Sequence, residues 1–346
     1  MSLILPCAGS SSRFPNMKPK WMLTSPQNNL MIQESIKGLN LENINDIYIT
    51  VLKEHINKYN FNNSLELLFN FTNKKIHILQ LNESTENQPE TIIKTINHFN
   101  LSGPIFIKDC DNSFNFKIEK GNYICSLKID DNNNVEKLYN KSFVQINEIN
   151  EIINISEKNI ISDKICIGGY HFDEAKTFIT LYDKINEKKN MFISHLVFQG
   201  IIDGMVFKSC NVNNYHDWGT LDDWNKYKND FKTLFVDIDG TLFYNSSEFF
   251  VPKWGDSKPI LENIDYLKKL YHQGNTQIIL TTSRKESFRE ITIKQLKKYE
   301  IPYDNIIFNL FHSKRYLIND YSDTNPYPTA ISINLERNTH LLDKLL

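Results

Sequence analysis

The sequence predicts an α/β protein in two parts, and three observations lead there. Short apolar runs recur at Ser2–Ala8, Ile47–Leu52, Ile76–Leu81, Pro104–Ile107, Tyr123–Leu127, Ile165–Ile167 and Met205–Cys210. Helix-like stretches such as Met31–Gly38 and Glu90–Asn97 separate several of them, and strands alternating with helices build an α/β sheet. After the polar, helical stretch Asp222–Asp230 the pattern restarts. A strand at Thr233–Val236 is followed by a helix at Leu261–Gln273, a strand at Thr276–Leu280 and a helix at Glu286–Tyr299. Strands at Ile306–Phe308, Tyr316–Ile318 and Thr329–Ile333 complete the second series. The boundary is set near Asp230, giving domains 1–230 and 231–346.

Composition fits this division. A chain of 346 residues with 40% hydrophobic and 23% charged residues can bury a sizeable core in each part. The net charge of -2 excludes a nucleic-acid binder that works through bulk positive charge. No run of 18 apolar residues is present, so no membrane span is expected. The opening residues MSLILPCAGSSSRF lack a basic stretch and carry too short an apolar run for a signal peptide, so a cytoplasmic location is expected. Five scattered cysteines without a CxxC pair read as reduced thiols, not as a disulfide framework or zinc site.

The first chemical constellation follows the first apolar run. Ala8, Gly9, Ser10, Ser11 and Ser12 are small residues whose backbone N–H groups can approach a phosphate closely. Arg13 adds a bidentate cation, and Lys20, after Pro19, adds a point charge. Two cations beside such a loop suit a triphosphate that is attacked at its α-phosphorus while pyrophosphate leaves. Carboxylates at Asp109 and Asp111 end the strand Pro104–Lys108, where Mg²⁺ could be held against phosphates. Asp111 is preferred and Asp109 is the alternative.

This stretch resembles the nucleotidyltransferases that join a nucleoside triphosphate to a sugar phosphate or similar phosphorylated alcohol, whose pattern is AGxGxR or AGxSxR followed by PK. The resemblance implies a Rossmann-like, GT-A-like mixed sheet over roughly residues 1–225. It places Arg13 on the β- and γ-phosphates and Lys20 on the α-phosphate and the incoming phosphate. Asn87-Gln88-Pro89-Glu90-Thr91 is similar to the family's base- and ribose-contacting loop, which assigns Gln88 and Glu90 to nucleotide binding. Asp217, in Asp217-Trp218-Gly219-Thr220, resembles the family's second metal ligand. Gly169 and Tyr170, in Gly168-Gly169-Tyr170-His171-Phe172, resemble the strand that lines the acceptor pocket. The implied cofactor is Mg²⁺ on Asp111 and Asp217. The implied partners are an NTP and a phosphorylated sugar or polyol, with a homo-oligomer left open.

The second constellation is Asp237-Ile238-Asp239-Gly240-Thr241. An apolar strand delivers two carboxylates on alternate residues, so both point to one side. One can attack phosphorus while the other handles a proton. The motif resembles the haloacid dehalogenase (HAD)-type phosphatases, in which the first aspartate is the nucleophile and the second the general acid/base. The resemblance places Asp237 and Asp239 in those roles and in the metal site, Thr282 on the phosphoryl group, and Asp320 as a further metal ligand, with Asp323 as an alternative. Lys314 is the candidate phosphate-binding lysine, with Lys285 and Arg315 as alternatives. The intervals leave no room for a cap, so a capless Rossmannoid fold is implied.

Together these resemblances imply a bifunctional enzyme, a nucleotidyltransferase followed by a phosphatase, of the kind that suits nucleotide-sugar supply for capsule or other surface polysaccharide. Two alternatives are carried. One is a glycosyltransferase using Asp109-Cys110-Asp111 as a DxD; the other keeps the nucleotidyltransferase but makes the second domain non-catalytic.

Overall fold

The computed structural model describes residues 1–9, 11, 13–14, 16–61, 65–129, 138–320 and 329–346. The chain divides into two compact units, Met1–Tyr227 and Lys228–Leu346.

The first unit begins with β1 (Ser2–Pro6), α1 (Met31–Lys37), β2 (Leu39–Asn40), β3 (Asp46–Leu52), α2 (Lys53–Lys58), β4 (Lys75–Leu81) and α3 (Gln88–Phe99). It continues with β5 (Ile105–Lys108), β6 (Asn112–Lys117), β7 (Tyr123–Lys128), β8 (Ser142–Ile146), β9 (Ile152–Glu157) and β10 (Lys164–Phe172). Then come α4 (Ala175–Lys184), α5 (Ile193–Ile202), β11 (Lys208–Asn211), β12 (Asn213–Asp217) and α6 (Leu221–Asn229), whose last two residues fall in the second unit. The main sheet runs β11-β7-β10-β5-β1-β3-β4, with β8 and β9 joined to it through β10. β1 pairs parallel with β3 and β5, whereas β10 pairs antiparallel with β5 and β7. The sheet is therefore mixed. A smaller sheet orders β12-β6-β2.

Residue chemistry explains this layering. β1 is apolar from Leu3 to Pro6, and its middle residues Leu3, Ile4 and Leu5 are buried, as a central strand covered on both faces must be. Its alternate side chains part to opposite sides. Leu3 and Leu5 join Ile47, Ile49 and Phe106 on one face, and Ile4 joins Ile92, Ile96 and Ile107 on the other. Each such buried side chain contributes roughly 1.5–3 kcal/mol. Asn87 starts α3 as its N-cap, its side chain accepting the Glu90 N–H at 2.9 Å. Among the described residues no helix is long and apolar enough to cross a membrane.

One feature of strand order fixes the site. From β1 the sheet grows outward through β3 and β4, then the chain returns to place β5 on the opposite side of β1. The carboxyl ends of β1 and β5 thus flank the point where strand order reverses, the place where open α/β sheets hold ligands.

The second unit contains β13 (Lys232–Asp237), α7 (Leu261–His272), β14 (Thr276–Thr281), α8 (Arg289–Lys298) and β15 (Asn305–Ile307). The three strands form a parallel sheet in that order around Val236, Ile238, Leu267, Ile278, Leu280 and Leu296. The strands expected at Tyr316–Ile318 and Thr329–Ile333 are absent. Tyr316 and Ile318, on one face, are 82% and 90% exposed, and Leu317, on the other, is 56% exposed, so neither face of that segment is covered, and the described sheet ends at β15.

Candidate active site

At the end of β1 the chain enters the small-residue loop. Ala8 is buried, while Gly9 is exposed, and among the described residues no atom lies within 4 Å of where its Cβ would stand. Ser10 and Ser12 lie outside the described residues. Ser11 takes the left-handed conformation, with φ of 52°. Its Oγ accepts the Lys20 N–H at 3.0 Å, and its carbonyl accepts the Phe14 N–H at 2.8 Å. The curled loop brings both predicted cations to one carboxylate: Lys20 Nζ lies 2.5 Å and Arg13 Nη2 3.6 Å from Asp111 Oδ2.

The second predicted carboxylate arrives from the far end of the unit. β12 pairs antiparallel with β6 so that Asp217 stands opposite Asn112, and the Trp218 N–H donates to the Asp111 carbonyl at 2.9 Å. Behind this turn Trp218 and Trp224 pack edge to face, with centroids 5.4 Å apart, and both are buried. Their role is packing. Asp217 Oδ1 accepts the Gly219 N–H at 3.1 Å, and its Oδ2 is ion-paired to Lys141. Lys141 also donates to the Tyr215 hydroxyl at 3.1 Å. Sequence reasoning missed Lys141. It lies far along the chain from its partners, just before an apolar strand, and only the fold brings it in.

Electrostatics follows from this crowding. Burial alone would raise Asp111, but Lys20, Arg13 and Lys141 overcome it and hold the carboxyl well below the usual carboxylate range. Burial opposes the charge on Lys141, yet Tyr215 and Asp217 raise it above the ordinary lysine value. Asp109 behaves differently. Burial and the neighbouring Asp111 push it up to about 6. It is hydrogen-bonded to the Gln88 amide, and its N–H donates to the Gly168 carbonyl at 2.9 Å. Lys108 is fully buried beneath the turn. It donates to the Asp109 carbonyl at 2.6 Å and to Asn112 Oδ1 at 2.6 Å, and burial pushes it down to about 8.

Other predicted residues have different surroundings. Glu90 caps its own helix, accepting the Glu86 N–H at 2.7 Å and pairing with Lys94 at 2.8 Å. Gly169 and Tyr170 do not line an open pocket, because every residue of β10 is buried. A Cβ on Gly169 would collide with Cys125 and Phe114, so its small size serves packing. Tyr170 belongs to the core cluster with Phe172 and Phe178.

In the second unit, Asp237 ends β13 opposite Thr281 of β14. Arg315 bridges the two, its Nη2 2.9 Å from Asp237 Oδ1 and its Nη1 3.1 Å from Thr281 Oγ1. Burial raises Asp237 above the usual carboxylate value, with Arg315 offsetting part of the rise. Gly240, at φ of 94°, makes the turn after Asp239. Asp239 is held by the buried Arg284 through one guanidinium edge, Nε to Oδ2 and Nη2 to Oδ1, each contact 2.8 Å, and by Ser246 Oγ at 2.7 Å.

Three expectations are corrected here. Thr282 is buried and its Oγ1 accepts the Arg284 N–H at 3.1 Å, so the hydroxyl beside Asp237 is that of Thr281. Arg315, not the exposed Lys314, reaches Asp237. Asp320 lies in an exposed, irregular segment, its carbonyl accepting from Thr329 Oγ1 at 2.8 Å. No group of three or more His, Cys, Asp or Glu placed to hold a metal exists among the described residues, so Asp320 does not join Asp237 and Asp239. Asp323 lies outside the described residues.

No known protein family's sequence model matches the chain, and no curated protein does. Solved structures do. The chain is similar to the nucleoside-diphosphate-sugar pyrophosphorylase of Vibrio cholerae RC9, with 18% identity, 66% of this chain and 99% of that chain covered, and a TM-score of 0.55. It is similar to the inositol-1-phosphate CTP transferase of T. maritima, with 14% identity, coverage of 64% and 90%, and a TM-score of 0.51. It is also similar to an apo-UDP-glucose pyrophosphorylase, with 14% identity, coverage of 66% and 96%, and a TM-score of 0.53. At these identities the likeness establishes a shared mixed α/β fold.

Proposed function

We propose that the first unit transfers a nucleotidyl group from an NTP to a sugar or polyol phosphate and releases pyrophosphate. The observation that carries this reading is the meeting of Arg13, Lys20 and Lys141 with Asp111 and Asp217 at the strand-order reversal. The fold shared with proteins named for this chemistry supports it. An oxygen of the acceptor phosphate attacks the α-phosphorus in line; the new O–P bond forms as the bond to the β-phosphate breaks. Arg13, half-exposed at the loop, takes the departing pyrophosphate. Lys20 offsets charge on the α-phosphoryl oxygens, and Lys141 adds a third cation beside Asp217. The chain supplies no nucleophile, only position and charge.

Asp111 and Asp217 fit Mg²⁺. Both are carboxylates on adjoining strand ends, and Mg²⁺ is characteristically held by one or two carboxylates plus substrate phosphates. When bound, the ion would offset the charge that develops on the α-phosphoryl group. Pyrophosphate release from four NTPs against a panel of sugar and polyol phosphates tests the reading. Release without any dependence on acceptor phosphate would defeat it, and glycosyl transfer from a nucleotide sugar would favour the glycosyltransferase alternative.

A second reading concerns the second unit. Asp237, at a parallel strand end with Arg315 and Thr281 beside it, supports phosphoryl transfer to Asp237 itself. Among the described residues the carboxylates there form no group of three placed to hold a metal, and the reading rests on Asp237, Arg315 and Thr281 alone. Phosphate release from p-nitrophenyl phosphate, lost in Asp237→Asn, tests this reading.

A further inference from the structure

Asp239 is the residue whose surroundings depart from what a general acid needs. Both of its oxygens accept hydrogen bonds: Oδ2 from Arg284 Nε, and Oδ1 from Arg284 Nη2 and Ser246 Oγ. That is the bonding pattern of a carboxylate facing a fork of N–H donors, and it turns both oxygens toward Arg284 and Ser246 instead of toward a leaving group. The arrangement is also fixed. Arg284 is 0% exposed, and its Nη1 donates to Thr292 Oγ1 at 3.1 Å and Gln295 Oε1 at 3.0 Å, both on α8. Gln295 is anchored in turn to the Ser257 carbonyl at 3.1 Å. Releasing Asp239 would strand a buried guanidinium, which is strongly disfavoured.

We propose that the second unit cleaves phosphates whose leaving group needs no proton, phosphoanhydrides and pyrophosphate foremost, and not alkyl phosphomonoesters. This rests on the reading of Asp237 as the phosphoryl acceptor. Asp237 Oδ attacks phosphorus, and the Oδ–P bond forms as the P–O bond to the leaving group breaks. An alkoxide would have to be protonated as it departs, and Asp239 is tied up. A phosphate or acyl-phosphate oxygen departs as a stable anion. Water then attacks the aspartyl-phosphate; the new O–P bond forms as the Oδ–P bond breaks, Asp237 is released as a carboxylate, and both protons of the water leave with the released phosphate. Pyrophosphate is also the product of the transfer proposed for the first unit, so its cleavage would draw that transfer forward.

The test is a leaving-group series on the full chain in Mg²⁺ buffer: pyrophosphate, acetyl phosphate, p-nitrophenyl phosphate, propyl phosphate and glycerol 3-phosphate. The first three should turn over. The two alkyl esters should be slower by about 10²–10⁴-fold, the factor a general acid supplies. Alkyl esters within tenfold of p-nitrophenyl phosphate would overturn the inference while leaving the reading of Asp237 intact. No turnover of any compound, or turnover that survives Asp237→Asn, would overturn that reading and the inference with it. Arg284→Met should narrow the aryl-to-alkyl ratio at least tenfold, and an unchanged ratio in a folded variant would contradict the assignment. If that variant does not fold, the wild-type series decides alone.

Discussion

Trp218 donates its backbone N–H to the Asp111 carbonyl at 2.9 Å, and this bond ties the two carboxylate-bearing turns of the first unit together. Asp217 is the residue before Trp218, so its position follows that of Asp111. The expected consequence is that Asp111→Asn and Asp217→Asn behave alike. Each should reduce pyrophosphate release by about 10²-fold or more, a loss of about 3 kcal/mol. Asp109→Asn should cost no more than about tenfold, because an amide can still bond Gln88. Steady-state rates of the three variants check the order; Asp109→Asn as the worst of them would reverse the assignment.

Lys141 gives the second prediction. Lys141→Met removes the cation paired with Asp217 and leaves the neighbouring strand unaltered. A fall of about 10²–10³-fold in kcat is expected, comparable to losing one preorganised donor at a developing charge. A variant with normal kcat and only a raised KM would show that Lys141 binds substrate without acting in the transition state.

The aromatic wall behind the site carries stability. Trp224 packs on Trp218, and on Tyr227 with ring centroids 5.5 Å apart, and is buried. Trp224→Ala should destabilise the unit by about 3–5 kcal/mol. Denaturant unfolding of the variant measures this. A loss under about 1 kcal/mol would mean the cluster packs loosely.

His171 predicts a pH dependence of stability. Burial lowers it below the ordinary histidine value, and the Gly121 carbonyl and Asp173 offset only part of that. Its ring stacks on Tyr123 with centroids 4.9 Å apart. Because the folded value lies below the unfolded one, the unfolded chain takes up a proton first as pH falls. Stability should therefore decline below about pH 6.5, the ordinary histidine value. Melting temperatures between pH 7.5 and 5.5 check it: wild type should fall more steeply than His171→Gln, and parallel curves would exclude the effect.

How much of this was legible in the sequence depends on distance along the chain. The apolar runs that became β1, β3, β4 and β5 were readable because buried strands are locally apolar. Arg13 and Lys20 were readable because they share one loop. Lys141 was not, since its approach to Asp217 depends on how β8 and β12 are placed. Arg284 was hidden for a similar reason: its partners Asp239, Thr292 and Gln295 meet only in the folded unit. Gly169 and Tyr170 misled because a glycine beside a tyrosine in an apolar strand reads the same for a pocket wall and for packing. The segment Tyr316–Ile318 misled because its apolar residues signal a strand, yet remain exposed.

The most direct test of the central claim follows the α-phosphorus. The full chain is incubated with an NTP labelled at the α-phosphate and the acceptor phosphate chosen by the pyrophosphate screen. The account predicts that label appears in a product containing both the nucleoside and the acceptor, joined by a new diphosphate linkage, and that Lys20→Ala abolishes it. Label found only in nucleoside monophosphate would show hydrolysis instead of transfer and would contradict the account.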